Sequence, residues 1–312
     1  MSQHQFSSGD VIADRRADYA RMLAEAGDHA AAAELYEQAL ELVPDWVAGW
    51  VLLGDACQKA GKVEAAIAAF SRVEAMDETG LFGASLKLAA LGAAPVPETP
   101  PSAYVEGLFD DYADRFETSL VDKLNYSVPQ KLFSLVQRHA PFELTIDLGC
   151  GTGLFGLEVA RATSRLEGFD ISANMLVKAE EKYLYHHLGQ ADLSDALLAG
   201  ESLFAEGLPR RRADLVSAAD VLMYIGSLEV TFSIVTDLLK PGGFFAFSVE
   251  DGGEADDGFT LQPSLRYAHT RPYVLDVLSR TGFEVLEELR TDIRKDGGKD
   301  VFGILFIARL SL

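Results

Sequence analysis

The chain has 312 residues, 48% hydrophobic and 24% charged, long enough for two compact units and ordinary for a soluble globular protein. Its 27 Lys and Arg against 48 Asp and Glu give a net charge of −21. With Arg210-Arg211-Arg212 as its one basic cluster, unassisted binding to a nucleic-acid backbone or an anionic membrane is not expected. Cys57 and Cys150 are too few for a disulfide framework and lack metal-ligand spacing. The opening Met-Ser-Gln-His-Gln-Phe has no charged-then-apolar signal pattern, and no apolar run reaches membrane-spanning length, so a cytoplasmic protein is expected.

In the front third, laying the chain on itself at a period of 34 residues aligns Ala20 with Gly54, Gly27 with Gly61, Ala32 with Ala66, Tyr36 with Phe70 and Ala39 with Val73. Small residues recur where two helices approach closely, and aromatics recur where a gap must be filled. Pro44 ends the first unit. The pattern resembles tetratricopeptide repeats, with two repeats over about residues 13–80 and a helical segment Leu81–Leu91 capping the open end. Such a module, taken as residues 1–92, is either a docking platform for a protein or a second copy, or a packing annex. Trp46 and Trp50, at helical spacing, read as core. Residues 93–102, Ala-Ala-Pro-Val-Pro-Glu-Thr-Pro-Pro-Ser, form a semi-extended linker, and 103–312 a second domain.

That domain opens with Tyr104, Leu108, Tyr112 and Phe116 on one helical stripe, with Phe109 beside them and acids elsewhere. Leu124-Asn-Tyr-Ser-Val-Pro129 starts another helix, with Ser127 as its cap and Tyr126 near the same face. Strands are predicted at 144–148, 165–169, 186–190, 213–219, 243–249, 283–289 and 300–309, and helices at about 152–162, 173–183, 227–239 and 271–281. The alternation implies right-handed βαβ units and a doubly wound, mostly parallel seven-stranded sheet, whose last two strands form an antiparallel hairpin across Lys295-Asp-Gly-Gly-Lys299.

The first strand delivers Asp147 into Gly149-Cys150-Gly151-Thr152-Gly153. Alternating glycines let backbone reach van der Waals contact with a ligand. A carboxylate beside the loop would repel a phosphate, so Asp147 points to a cationic or donor-rich ligand. Gly151, Gly153 and Gly156 also spell the dinucleotide fingerprint, with Asp170 near the expected ribose-binding acid. In that register Asp147 would sit inside the strand, where an apolar residue is normal.

The Asp147–Gly153 spacing resembles motif I of the class I S-adenosylmethionine-dependent methyltransferases, whose ligand carries an ammonium and a sulfonium. The resemblance implies a Rossmann-like α/β fold, S-adenosyl-L-methionine as cofactor, and site residues at successive strand ends. Asp170, with Ile171 and Ser172, matches the family's ribose-binding acid, although Asp170 or Ser172 also suits a helix cap. Met175 is either an adenine contact or a core residue. Asp192, between Ala191 and Leu193, matches the acid that accepts the adenine amino group. Ala219-Asp220-Val-Leu-Met-Tyr224 resembles motif IV, where Asp220 would hold the methionine ammonium or orient the nucleophile and Tyr224 would wall the acceptor. Phe109–Phe116 is similar to a helix that closes over the cofactor, making Tyr112 and Phe116 lid residues. Leu239-Lys-Pro-Gly-Gly243 is a structural turn frequent in the family.

Glu250–Gly258 is an acidic, glycine-rich loop. After it, Tyr267 and His269 sit where acceptor contacts come from in this fold, with His269 a base near neutral pH or a packing residue. His186 and His187 open a strand away from its ligand-binding end. A small-molecule acceptor for O- or N-methylation is expected, against a protein acceptor clamped by the repeats or a non-catalytic cofactor-binding scaffold.

Overall fold

Asp10 accepts from the amides of Ile12 and Ala13 and opens α1 (Val11–Glu25), and Asp28 accepts from Ala31 at the head of α2 (His29–Leu42). The second pair, α3 (Val47–Lys59) and α4 (Val63–Met76), repeats the first without side-chain caps. Gly27 and Gly61 make the matching turns at φ 87° and 74°. Inside each pair a small residue faces an aromatic ring. A Cβ at Gly54 would lie 2.4 Å from Phe70, and the fully buried Ala20 belongs to the same core as Tyr36. α5 (Ala84–Ala90) packs on α4, and its Lys87 reaches Asp55 of α3 at 2.6 Å. Trp46 is buried as expected, while Trp50 is half-buried and donates from Nε1 to the Pro44 carbonyl at 2.8 Å.

The computed structural model describes residues 7–117, 126–255 and 258–311, and the chain divides into two compact units, 1–107 and 108–312. α6 (Ser102–Tyr112) gives way to a 3-10 turn at Ala113–Arg115. The expected helix start at Leu124 lies outside the described residues, and α7 runs Val128–Val136 with Pro129 in its first turn.

The second unit is a twisted sheet with helices on both faces. Its strands run β1 (Phe142–Leu148), β2 (Thr163–Asp170), β3 (His187–Gln190), β4 (Ala213–Ala218) and β5 (Leu239–Asp251). They are parallel in the order β3-β2-β1-β4-β5. Their apolar residues explain the layering. Ile146, Phe169, Val216 and Phe247 share one core with α11 (Glu229–Leu238) and α12 (Arg271–Arg280). Leu166, Leu215 and Ala246 face α7 and α8 (Leu154–Val159). The order reverses between β1 and β4, the switch point at whose carboxyl end ligands bind.

Among the described residues the sheet has nine strands rather than seven. β8 (Phe283–Asp296) and β9 (Lys299–Leu310) form the expected antiparallel hairpin, longer than its sequence signal, with β9 on β5. The two additional strands are β6 (Phe259–Leu261) and β7 (Tyr267–His269), three residues each and too short for a readable alternation. Glu250 of β5 pairs with both Gly303 and Ala268, so β7 lies on the edge of β5 opposite β9, beyond the end of β4. α10 (Ala196–Leu203), capped by Asp195, was also not anticipated, and α9 (Ala173–Glu180) is shorter than expected. The Lys240–Gly243 run is a bulge within β5 rather than a free turn, since the pairing with β4 shifts register there.

Gly54→Val would drive an isopropyl group into Phe70 and should destabilise the helical unit by about 1–3 kcal/mol. Both tryptophans of the chain, Trp46 and Trp50, lie in this unit, so tryptophan fluorescence in a urea titration reports on it alone. An unchanged midpoint would contradict the close helix contact.

Candidate active site

The three glycines of the β1 loop have positive φ, Gly149 at 62°, Gly151 at 53° and Gly153 at 92°, a region other residues enter only with strain. Each faces something different. A Cβ at Gly149 would strike Val221 after β4, 2.3 Å away, and one at Gly153 would come within 3.0 Å of Tyr185. At Gly151 the nearest neighbour is the Phe116 ring, at 3.8 Å. Gly156 and Gly168, like Gly153, make room for the Tyr185 ring, with a Cβ at Gly156 only 2.5 Å from its hydroxyl. The third glycine of the dinucleotide spacing therefore accommodates a side chain.

Two acids end adjacent strands around this loop. Asp147 is buried, its Oδ2 accepting from the Tyr185 hydroxyl at 2.7 Å and its Oδ1 from the Ser217 hydroxyl at 2.8 Å. Asp170 is buried beside it, accepting from the Gly151 amide at 2.8 Å and the Ser172 amide at 2.9 Å. Burial pushes both carboxyls up to about 6 despite these donors. Neither is neutralised by a protein cation among the described residues, and each oxygen retains acceptor capacity. Cys150 is buried and donates its amide to the Phe169 carbonyl at 3.0 Å, and burial raises its thiol well above the usual range.

The opening segment of the domain lies across the loop. Asp110 of α6 accepts from the Ser172 hydroxyl at 2.6 Å and the Asn174 amide at 3.2 Å. Glu117 accepts from the Thr152 hydroxyl at 2.6 Å and pairs with Lys182, whose Nζ also donates to the Thr152 carbonyl at 2.6 Å. Between these ties, the Phe116 ring sits 5.5 Å from Tyr112 and 6.5 Å from Phe109, which meets Tyr224 edge-on at 4.9 Å. Asp110 and Glu117 thus fasten this segment to the loop and to the start of α9.

The residues expected on the adenine side fall into turns and core. Met175 is fully buried and its amide donates to Ser172 Oγ. The Ile171 carbonyl accepts from Gln190 Nε2 at 2.8 Å. Asp192 accepts from the Ser194 amide and hydroxyl at 2.9 and 2.6 Å, while Ala191 and Leu193 belong to the core.

On the β4 side, Ala219 offers its carbonyl to the Tyr126 hydroxyl at 3.4 Å. Asp220 has φ 60°, a strained value for a side-chain-bearing residue, and is held by its amide on Ser248 Oγ at 2.8 Å. Its carboxylate takes a forked contact from one nitrogen of Arg294, at 2.8 and 2.9 Å. Arg294 is buried and also pairs with Glu250, which takes Arg266 at 2.9 Å. Although burial works against it, Asp220 and Glu250 push the Arg294 proton affinity up. Asp220 is thus paired with a β8 arginine that no motif flagged. Burial pushes the Tyr224 hydroxyl up to about 12, so it stays protonated.

Tyr267 and His269 are fully buried on β7. His269 places Nε2 3.0 and 2.9 Å from the carbonyls of Ile225 and Gly226, and burial pulls its proton affinity down to about 4. It is a neutral donor holding the loop after β4, and the structure does not bring it or Tyr267 to an open face. His187 begins β3, and His186 accepts the Leu166 amide at 3.2 Å.

Between pH 4 and 6 the folded chain retains protons on Asp147 and Asp170 that carboxyls with the ordinary value of 3.8 release. The stability this contributes is full below about pH 4 and is lost as pH rises through about 6, on the order of 2–3 kcal/mol per group. Asp170→Asn, which cannot ionise, should gain on wild type by about 1.4 kcal/mol between pH 5 and 7.5 in urea titrations followed by circular dichroism. Parallel pH slopes for the two proteins would contradict a raised Asp170.

Residues 146–245 match the family described as a methyltransferase domain, and residues 23–79 match the tetratricopeptide repeat family. The hybrid PKS-NRPS synthetase lepA of Aspergillus flavus is 26% identical over 60% of this chain and 5% of its own length. A malonyl-[acyl-carrier protein] O-methyltransferase of Serratia marcescens is 24% identical over 54% of this chain and 64% of its own. The chain thus spans less than two thirds of either curated relative. Among solved structures, the 1,6-didemethyltoxoflavin-N1-methyltransferase of Burkholderia thailandensis shares the fold with a TM-score of 0.51 and 18% identity, over 70% of this chain and 95% of that one. No helix among the described residues is long and apolar enough to cross a membrane. Strand order, glycine loop and family matches together make the chain a class I S-adenosylmethionine-dependent methyltransferase domain joined to an N-terminal tetratricopeptide-repeat module.

Proposed function

We propose that the chain transfers a methyl group from S-adenosylmethionine to a small-molecule acceptor, by O- or N-methylation. The observation that carries this is the pair of buried carboxylates, Asp147 and Asp170, flanking a positive-φ glycine loop without a protein counter-ion among the described residues. When bound, the cofactor supplies an electrophilic methyl group on a sulfonium. Asp147 then receives the ammonium, Asp170 accepts from the ribose hydroxyls, and Gly149–Gly153 lets the ligand come against bare backbone. Cys150, Thr152, Ile171, Ser172 and Met175 shape the nucleoside walls around it. Asp192, with Ala191 and Leu193, lies at the adenine end. Phe116 and Tyr112 exclude water from the methyl group, and Phe109 and Tyr224 give the acceptor an aromatic wall. In-line displacement gains most from such alignment. Asp220, forked onto Arg294, orients the β4 loop after Ala219.

The names of the relatives support O- or N-methylation, one naming a malonyl group carried by acyl-carrier protein and a protein of the same fold naming N1 of 1,6-didemethyltoxoflavin. We divide the chain into a repeat module at 1–92, a linker at 93–102 and the methyltransferase domain at 103–312, in a cytoplasmic protein that binds neither nucleic acid nor membrane. The repeats offer a surface for a protein or a second copy.

Calorimetry with S-adenosylhomocysteine is the direct test. Binding is expected, with Asp170→Ala weakening it by roughly 2–3 kcal/mol through lost charge-assisted hydrogen bonds. Preference for a nicotinamide nucleotide would overturn the reading. Deleting residues 1–92 separates acceptor classes. Turnover of a small acceptor survives the deletion, whereas methylation of a protein target clamped by the repeats is lost.

A further inference from the structure

Tyr185 lies in no cofactor motif, yet the glycine loop is built around it. Its ring fills the space left open by Gly153, Gly156 and Gly168, where added Cβ atoms would come within 3.0, 2.5 and 2.7 Å. Its hydroxyl ends on Asp147 Oδ2 at 2.7 Å, while Ser217 of β4 reaches Oδ1 at 2.8 Å from the other side. Both donors are neutral. The titratable neighbours are Asp170 on β2, which repels Asp147, together with Cys150 in the loop and Tyr126 before α7, both kept protonated by burial. Among the described residues none of these is a cation, so Asp147 is a buried anion whose only partners are hydroxyls, and such an anion lacks a counter-charge.

We infer that Tyr185 is a positioning residue for the amino-acid end of the cofactor: with Ser217 it holds the Asp147 carboxylate ionised and oriented so that it receives a cationic amine. This rests on the cofactor reading above. Tyr185→Phe keeps the ring beneath the loop and removes only the donor. A hydrogen bond to the charged form lowers a carboxyl pKa, so losing it raises the proton affinity of Asp147.

The test is calorimetry on the full chain across pH 5 to 8 with two probes. S-adenosylhomocysteine carries the amino acid, whereas 5′-methylthioadenosine has the nucleoside without it. Y185F should bind S-adenosylhomocysteine about five- to tenfold more weakly than wild type at pH 6 and below, an upward shift of about one pH unit in the acid limb, and converge with it near pH 8. Affinity for methylthioadenosine should match wild type at every pH. Protonation of Asp170 weakens both ligands alike, so the ratio of the two affinities isolates Asp147. Ser217→Ala, at the opposite oxygen, should shift the same limb and keeps the test open should Y185F fail to fold. Equal losses for both probes at all pH values would make Tyr185 a support of the loop alone, and overlapping curves for both variants and wild type would remove the role. Absence of S-adenosylhomocysteine binding by wild type would overturn the cofactor reading and this inference with it.

Discussion

Two carboxylates buried side by side at the ends of β1 and β2 set the terms for everything around them. Unpaired, such anions are costly to remove from water, and their mutual repulsion adds to the penalty. The chain meets this with neutral donors. Asp147 takes two hydroxyls and Asp170 two backbone amides. Supplying an amide to Asp170 requires the loop to turn back through Gly151 at positive φ, and supplying a hydroxyl to Asp147 requires Tyr185 to enter beneath the loop where only glycines leave room. The glycine spacing is therefore a consequence of solvating two acids as much as of admitting a ligand.

The same logic governs the β4 side, with the opposite solution. There Asp220 and Glu250 are buried against Arg294 and Arg266, so the charges are matched within the protein. Buried pairs of this kind add little net stability, because desolvation offsets attraction, but removing one partner leaves a stranded charge. One half of the site is thus left unmatched toward a ligand and the other is closed on itself. The aromatic residues Phe109, Tyr112, Phe116 and Tyr224 lie between the two.

Legibility in the sequence followed the range of the interactions. The repeat, the glycine loop with its acid and the C-terminal hairpin are local patterns of spacing and periodicity, and each appears where expected. The β6–β7 hairpin escaped because three-residue strands carry no periodic signal, and α10 because Ala-Leu-Leu-Ala-Gly-Glu-Ser-Leu has no clean amphipathic stripe. Tyr185 and Arg294 escaped for another reason. Their partners, Asp147 and Asp220, are 38 and 74 residues away, and nothing near either residue marks it as a ligand for a buried acid. His269 shows the converse, a residue whose type suggested proton transfer and whose burial against two carbonyls makes it a strut.

The separation of Asp220 from Arg294 also makes the β4 end depend on the last hairpin of the sheet. Domains generally fold as units, and without β8 and β9 the strands β1 to β5 would leave Asp220 and Glu250 with no Arg294, and β5 with no β9 along the edge it shares from Phe244 to Glu250. Water would then have to reach both carboxylates, because burying them unmatched is costly. A chain cut before β8 would therefore lose more than two strands, since the loop after β4 would lack the positive charge that holds Asp220 in place.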